Sequence, residues 1–202
     1  MTHIDPIEEA LDTVLHIDHI CSKLEQIYNK IIQKNESKKL DKCGSSIARR
    51  FSDLPSLIVT TGLIPVLTFY LSKLSREDNT YFKHLLKLFR EKTNLNKIIE
   101  DLARDQSKKD PEKQKEKIIR YLVSEFTEES KGYLIGLIII TNYLNKVNIV
   151  NIIDGYDLKY LAKDLKEIRE GKSKPCEIIV QKILEPYLLE LKKLTRGLFG
   201  EK

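Results

Sequence analysis

The chain has no tryptophan, a single methionine and only three cysteines, none of them in a CxxC pair. Without paired cysteines at ligand spacing there is no zinc-ribbon or dithiol redox motif. Cys21, Cys43 and Cys176 lie far apart, and no leader segment is legible ahead of them. They read as reduced thiols in a cytoplasm. No apolar run is long enough to span a bilayer. The most apolar segment, "GYLIGLIIITNYLN" between Lys131 and Lys146, reads as a buried helix and not as a membrane anchor. A glycine-rich phosphate loop, a nucleophile elbow and an HExxH pair are all missing, which removes the commonest signatures of nucleotide hydrolysis, acyl transfer and zinc proteolysis. Sustained strand alternation is missing too, and "VNIVNIIDGY" is the only β-like fragment.

What is present is helical. Asp5-Pro6 followed by Glu8 and Glu9 starts a helix: a capping side chain, a proline near the first turn, then acids at the positive end of the dipole. Ile7, Leu11, Val14, Cys21, Leu24, Tyr28 and Ile31 carry that helix to about residue 33. "IARRFSDLPSLIVTTGLIPVLTFYLSKL" comes next, with Ile47, Phe51, Leu54 and Ile58 on one face. Gly62 is placed to close one helix, and Pro65 to sit in the first turn of another. Pro55 predicts a kink or restart. Further helices are expected at about 79–92, 94–105, 112–126, 129–146, 157–170 and 176–197. "RDQSKKDPEKQKEK" mixes both signs without apolar anchors and reads as a linker or a frayed helix start. The fold class is all-α: a compact bundle over 1–155, with a helical C-terminal extension over 156–202 packed on the same domain.

Charge is distributed unevenly. Between residues 30 and 50, Lys30, Lys34, Lys38, Lys39, Lys42, Arg49 and Arg50 stand against Glu36 and Asp41 alone. The net charge of +5 therefore sits in that window, and the rest of the chain balances. Several cations on one surface suit a phosphate backbone, which needs no base reading. Lys38, Lys39, Lys42, Arg49 and Arg50 are the candidate nucleic-acid contacts.

Other polar groups point to blander roles. His16 and His19 share a polar helix face with Asp12, Lys23, Gln26 and Lys30, whereas Cys21 faces the core. Surface histidines are the expectation there, with no metal and no cofactor. Ribonucleases of the all-α HEPN kind pair an arginine with a histidine at short fixed spacing. Only His84 has an upstream arginine nearby, Arg76, and it is too far away. His84 is expected on the exposed side of an amphipathic helix, and no catalytic residue is assigned. Tyr156, Tyr160 and Leu165 with Lys159, Lys163 and Lys166 form a basic amphipathic segment. Its acids Asp157, Asp164, Glu167 and Glu170 favour a bundle helix over a membrane-surface one.

The punctuated stretch resembles the small α-helical subunit of the type III-B (Cmr) CRISPR RNA-guided effector complex. Leu54-Pro55, Leu57-Ile58, Gly62-Leu63 and Leu67-Thr68-Phe69 fall at the family's steps, and Lys73 lies near its usual lysine. Thr61 stands where the family has asparagine, and Thr68 where it has alanine. The resemblance implies a cytoplasmic, non-catalytic subunit. Its partners would be the other effector subunits, copies of itself in a stacked array, and the guide and target RNA, with no membrane. The alternative is a helical protein-interaction scaffold that touches no nucleic acid.

Overall fold

The computed structural model describes residues 4–31, 40, 42–106, 110–128 and 130–200. Among these, nine helices and no strand are formed: α1 Pro6–Ile31, α2 Ser45–Thr61, α3 Leu63–Ser72, α4 Asp78–Glu91, α5 Leu95–Gln106, α6 Pro111–Thr127, α7 Tyr133–Lys146, α8 Leu158–Glu170 and α9 Glu177–Phe199. The all-α bundle expected from the periodicity is what forms.

Helix α7 is the axis of the bundle. Every residue from Leu134 to Leu144 is buried, as an apolar helix flanked by lysines demands. Helices α2, α3, α4 and α6 all pack against it. Gly136 lets the ring of Tyr70 approach, since a Cβ there would lie 3.2 Å from it. Helix α9 lies along both α1 and α2, the two broadest helix–helix contacts among the described residues. At this junction Tyr187 stacks on Tyr143 with ring centroids 3.9 Å apart. Its hydroxyl meets Thr13 Oγ1 at 3.0 Å, so the buried phenol is not left unsatisfied.

One local expectation is corrected and two others are refined. Helix α2 runs unbroken through Pro55, without the restart that proline suggested. The ring removes one backbone hydrogen bond and costs about 3 kcal/mol in a helix interior. Here Phe51, Leu54, Pro55 and Ile58 are all buried on one face, and that packing holds the helix through the lost bond. The charged segment after Arg104 is helical at both ends, and residues 107–109 between them lie outside the described residues. Helix α5 continues to Gln106, and Asp110 caps α6 by accepting from the Lys113 amide at 3.2 Å, with Pro111 in the first turn. Lastly, the short β-like fragment "VNIVNIIDGY" forms turns, bends and irregular backbone, with Ile149 and Val150 buried after α7 ends.

Gly62 closes α2 and opens α3 with φ 97 and ψ 156, a conformation open essentially to glycine. Its amide donates to the Ile58 carbonyl, while Glu177 at the start of α9 accepts from the Ile64 amide at 2.9 Å. An added Cβ would lie 2.8 Å from that same carboxylate oxygen. Gly62→Ala is expected to lower stability by about 1–3 kcal/mol, from backbone strain and displacement of the Glu177 cap. An unchanged midpoint in a denaturant melt would show that the junction is not strained.

Candidate nucleic-acid interface

Three neighbours fix the turn that leads into α2. From α1, Cys21 reaches Cys43 and the two form a disulfide, with Cα atoms 5.7 Å apart. This corrects the expectation of three reduced thiols, and leaves Cys176 as an exposed free cysteine. Cys21 lies on the buried face of α1, where the returning chain brings Cys43 against it, a proximity that sequence spacing does not reveal. From α6, the Phe126 carbonyl accepts from the Gly44 amide at 2.8 Å. The Thr127 and Glu125 carbonyls accept from Ser45 Oγ at 3.2 Å and Ser46 Oγ at 2.6 Å. From α9, the ring of Phe199 lies on Gly44 so closely that a Cβ would sit 2.6 Å from it. Gly44, at φ 89, therefore meets both a left-handed backbone requirement and a close approach.

On this anchored turn sits a cleft of about 270 Å³, lined by Lys42, Ser45, Arg49, Ser52, Asp53 and Arg196, with Phe199 at its edge. Positions 45, 49, 52 and 53 share one face of α2 by helical spacing, which is how Arg49 comes to stand beside Lys42. Arg49 and Lys42 are exposed. Arg196 enters from the last turn of α9. No sequence pattern linked it to the basic window, because only the packing of α9 on α2 brings it there.

Arg50 points elsewhere. Its Nε donates to the Lys131 carbonyl at 2.8 Å, and its Nη1 donates to the Tyr133 hydroxyl at 3.0 Å. The guanidinium lies 4.0 Å from the centroid of the Tyr133 ring. Arg50 thus ties α2 to the α6–α7 turn and is half-buried. Lys38 and Lys39 lie outside the described residues, so the structure places three of the five candidates and brings two of them together.

Behind the turn is a buried acidic pair. Glu125 is held against Lys131 at 3.9 Å and accepts from the Gly132 amide at 3.3 Å. Burial nevertheless pushes its carboxyl up to about 7. Asp78, also buried, accepts from the Ser75 amide at 2.5 Å and from the Tyr121 hydroxyl. Tyr121 stacks on Tyr81 at 3.9 Å, and burial raises its phenol well above the usual value.

The histidines divide. His19 is exposed as expected, whereas His16 is half-buried, edge-on to Phe89 at 5.2 Å, and burial lowers its pKa. His84 is not on the exposed side of its helix: it is half-buried and pairs with Asp105 at 2.8 Å. Among the described residues no group of three or more His, Cys, Asp or Glu is placed to hold a metal ion. Nor is any described helix long and apolar enough to cross a membrane.

The family model described as CRISPR-associated protein (Cas_Cmr5) matches residues 21–134, more than half of the chain. The chain belongs to this family of Cmr (type III-B) CRISPR-associated small subunits, and so to a Cmr effector with other subunits. The match spans α2 to α6 and takes in Lys42 and Arg49, but stops short of Arg196. No curated protein and no solved structure matches the chain.

Proposed function

We propose that the chain is a cytoplasmic, non-catalytic small subunit of the Cmr effector that helps to hold the guide–target RNA duplex through backbone contacts and stacks with copies of itself, in defence against invading nucleic acid. The observation that carries the RNA part is the cleft at the start of α2, where Lys42 and Arg49 stand together on a turn fixed from three sides. Lys38 and Lys39 belong to the same basic window and extend the contact. Arg50 serves by holding α2 against the Lys131–Tyr133 turn. A rigid helix start carrying arginine beside a lysine suits phosphate oxygens without reading bases.

Salt-dependent binding of the isolated protein to RNA of unrelated sequences tests this reading. Binding that is undetectable at low salt would leave the scaffold reading standing. RNA cleavage by the purified chain, with or without divalent metal, would overturn the non-catalytic part. Support for stacking comes from α1, where Ile7, Leu11 and Leu15 recur at four-residue steps and are exposed. Such a stripe is apolar surface that a neighbour would cover. Sedimentation over a concentration series is expected to show a monomer with weak larger species. A tight closed dimer would argue against an open array, because closed symmetry leaves no free ends.

A further inference from the structure

The arginine in the last turn of α9 has an ordinary explanation and a second, less ordinary one. A basic side chain near a helix C-terminus is favoured by the dipole and by the terminal carbonyls. Arg196, however, does not stand alone on solvent. It lines the same cleft as Lys42 and Arg49, from an element 147 positions further along the chain than Arg49. Its placement is also fixed. Phe199, three residues on, is pressed onto the Cβ-less face of Gly44. Thr195, one residue before, is fully buried, with its hydroxyl donating to the Leu191 carbonyl at 2.6 Å. The terminal turn of α9 is thereby clamped to the turn that carries Lys42.

We infer that Arg196 is a direct phosphate ligand, so that the RNA cleft is built jointly by the family-matched α2 and by α9, which lies outside the match. This rests on the RNA reading proposed above and extends it to a residue and an element. Arg49, Arg196 and Lys42 line a space of about 270 Å³, with a single carboxylate residue, Asp53, among the lining. That balance favours an anion. Arginine forks offer paired N–H donors to the oxygens of one phosphate, which a lysine cannot match. The ligand class is a backbone phosphodiester of RNA. A terminal phosphate monoester would present the same oxygens and is separated by the test.

The test compares Arg196→Gln, Arg196→Lys and Lys193→Gln in the full chain, by anisotropy of labelled RNA across a salt series. The RNAs carry either a 5′-hydroxyl or a 5′-phosphate. Lys193 is one turn earlier on α9, outside the cleft, and already paired with Glu190 at 2.6 Å. Arg196→Gln is expected to weaken binding several-fold and to flatten the log–log salt slope by about 0.7, the value for one lost contact on a single strand. Arg196→Lys should keep the slope but recover only part of the affinity, and Lys193→Gln should change neither. Equal loss on both RNAs assigns the phosphodiester, whereas loss confined to the 5′-phosphorylated RNA would overturn it in favour of an end-binding site. An unchanged slope for Arg196→Gln, in a protein whose Lys42→Gln/Arg49→Gln variant does lose slope, would overturn the role of α9 and leave the α2 reading intact. If neither variant changes the slope, the RNA reading itself fails. Thermal melts of each variant separate a loss of binding from a loss of fold.

Discussion

Changing Lys38, Lys39, Lys42 and Arg49 together to glutamine is expected to weaken RNA binding alike for every sequence, and to flatten its salt dependence by up to about 3 units of log–log slope. The reasoning is electrostatic. Each cation that neutralises a phosphate releases condensed counterions, at about 0.7 per contact on a single strand, and four contacts are removed. Base identity does not enter, so the loss should not vary between RNAs. Arg50→Gln is expected to behave in the opposite way. It removes two hydrogen bonds from a charged donor and a stacked guanidinium from Tyr133. The cost should be roughly 2 kcal/mol of stability with little change in salt slope. Lys113, Lys115 and Lys117 supply the control. Lys113 pairs with Asp110 and Lys117 with Glu77, so neutralising all three on α6 should leave binding nearly intact. In the assembled effector the four-site variant should still co-purify with the other subunits while losing affinity for target RNA. If affinity and slope both survive, the basic window is a solvated loop.

The contrast between two adjacent arginines shows where sequence reasoning stops. Successive residues on a helix point about 100° apart, and Arg50, on the side of α2 that meets the Lys131 carbonyl and the Tyr133 ring, is held there while Arg49 lines the cleft. The composition of the window was legible, and the division of labour within it was not. Apolar periodicity gave the helices, and Gly62 marked the α2–α3 junction, because spacing and backbone preference are local properties. Pro55 misled for the converse reason: burial of Phe51, Leu54 and Ile58 is tertiary and overrides a local preference. The start of α6 was legible to within a residue, and Asp110-Pro111 repeats the Asp5-Pro6 signal amid charges of both signs. The Cys21–Cys43 bond and the arrival of Arg196 depend on how distant elements pack, and no spacing rule reaches that far.

Glu125 should make the fold itself pH-dependent. Burial raises its carboxyl to about 7, against an ordinary value of 4.5. Between those two pH values the folded chain holds a proton that the unfolded chain has released. Stability therefore falls as pH rises through this window. The contribution is fully present below about 4.5 and is lost above about 7. A separation of that size corresponds to roughly 3 kcal/mol, at 1.36 kcal/mol per unit. Glu125→Gln keeps the shape and an acceptor for the Gly132 amide but cannot ionise. The stability of the variant relative to the parent should therefore rise by up to about 3 kcal/mol between pH 5 and pH 8. His16 works in the other direction. Burial lowers its pKa, so it removes stability as pH falls below its ordinary 6.5. Taking the difference between variant and parent cancels that term. The effect also bears on the cleft, because the Glu125 carbonyl accepts from Ser46 at the start of α2, and the Gly132 turn packs against the Ser46 backbone. Denaturant midpoints of both proteins at pH 5, 6, 7 and 8 are the measurement, and parallel profiles for the two would show that Glu125 is ionised throughout.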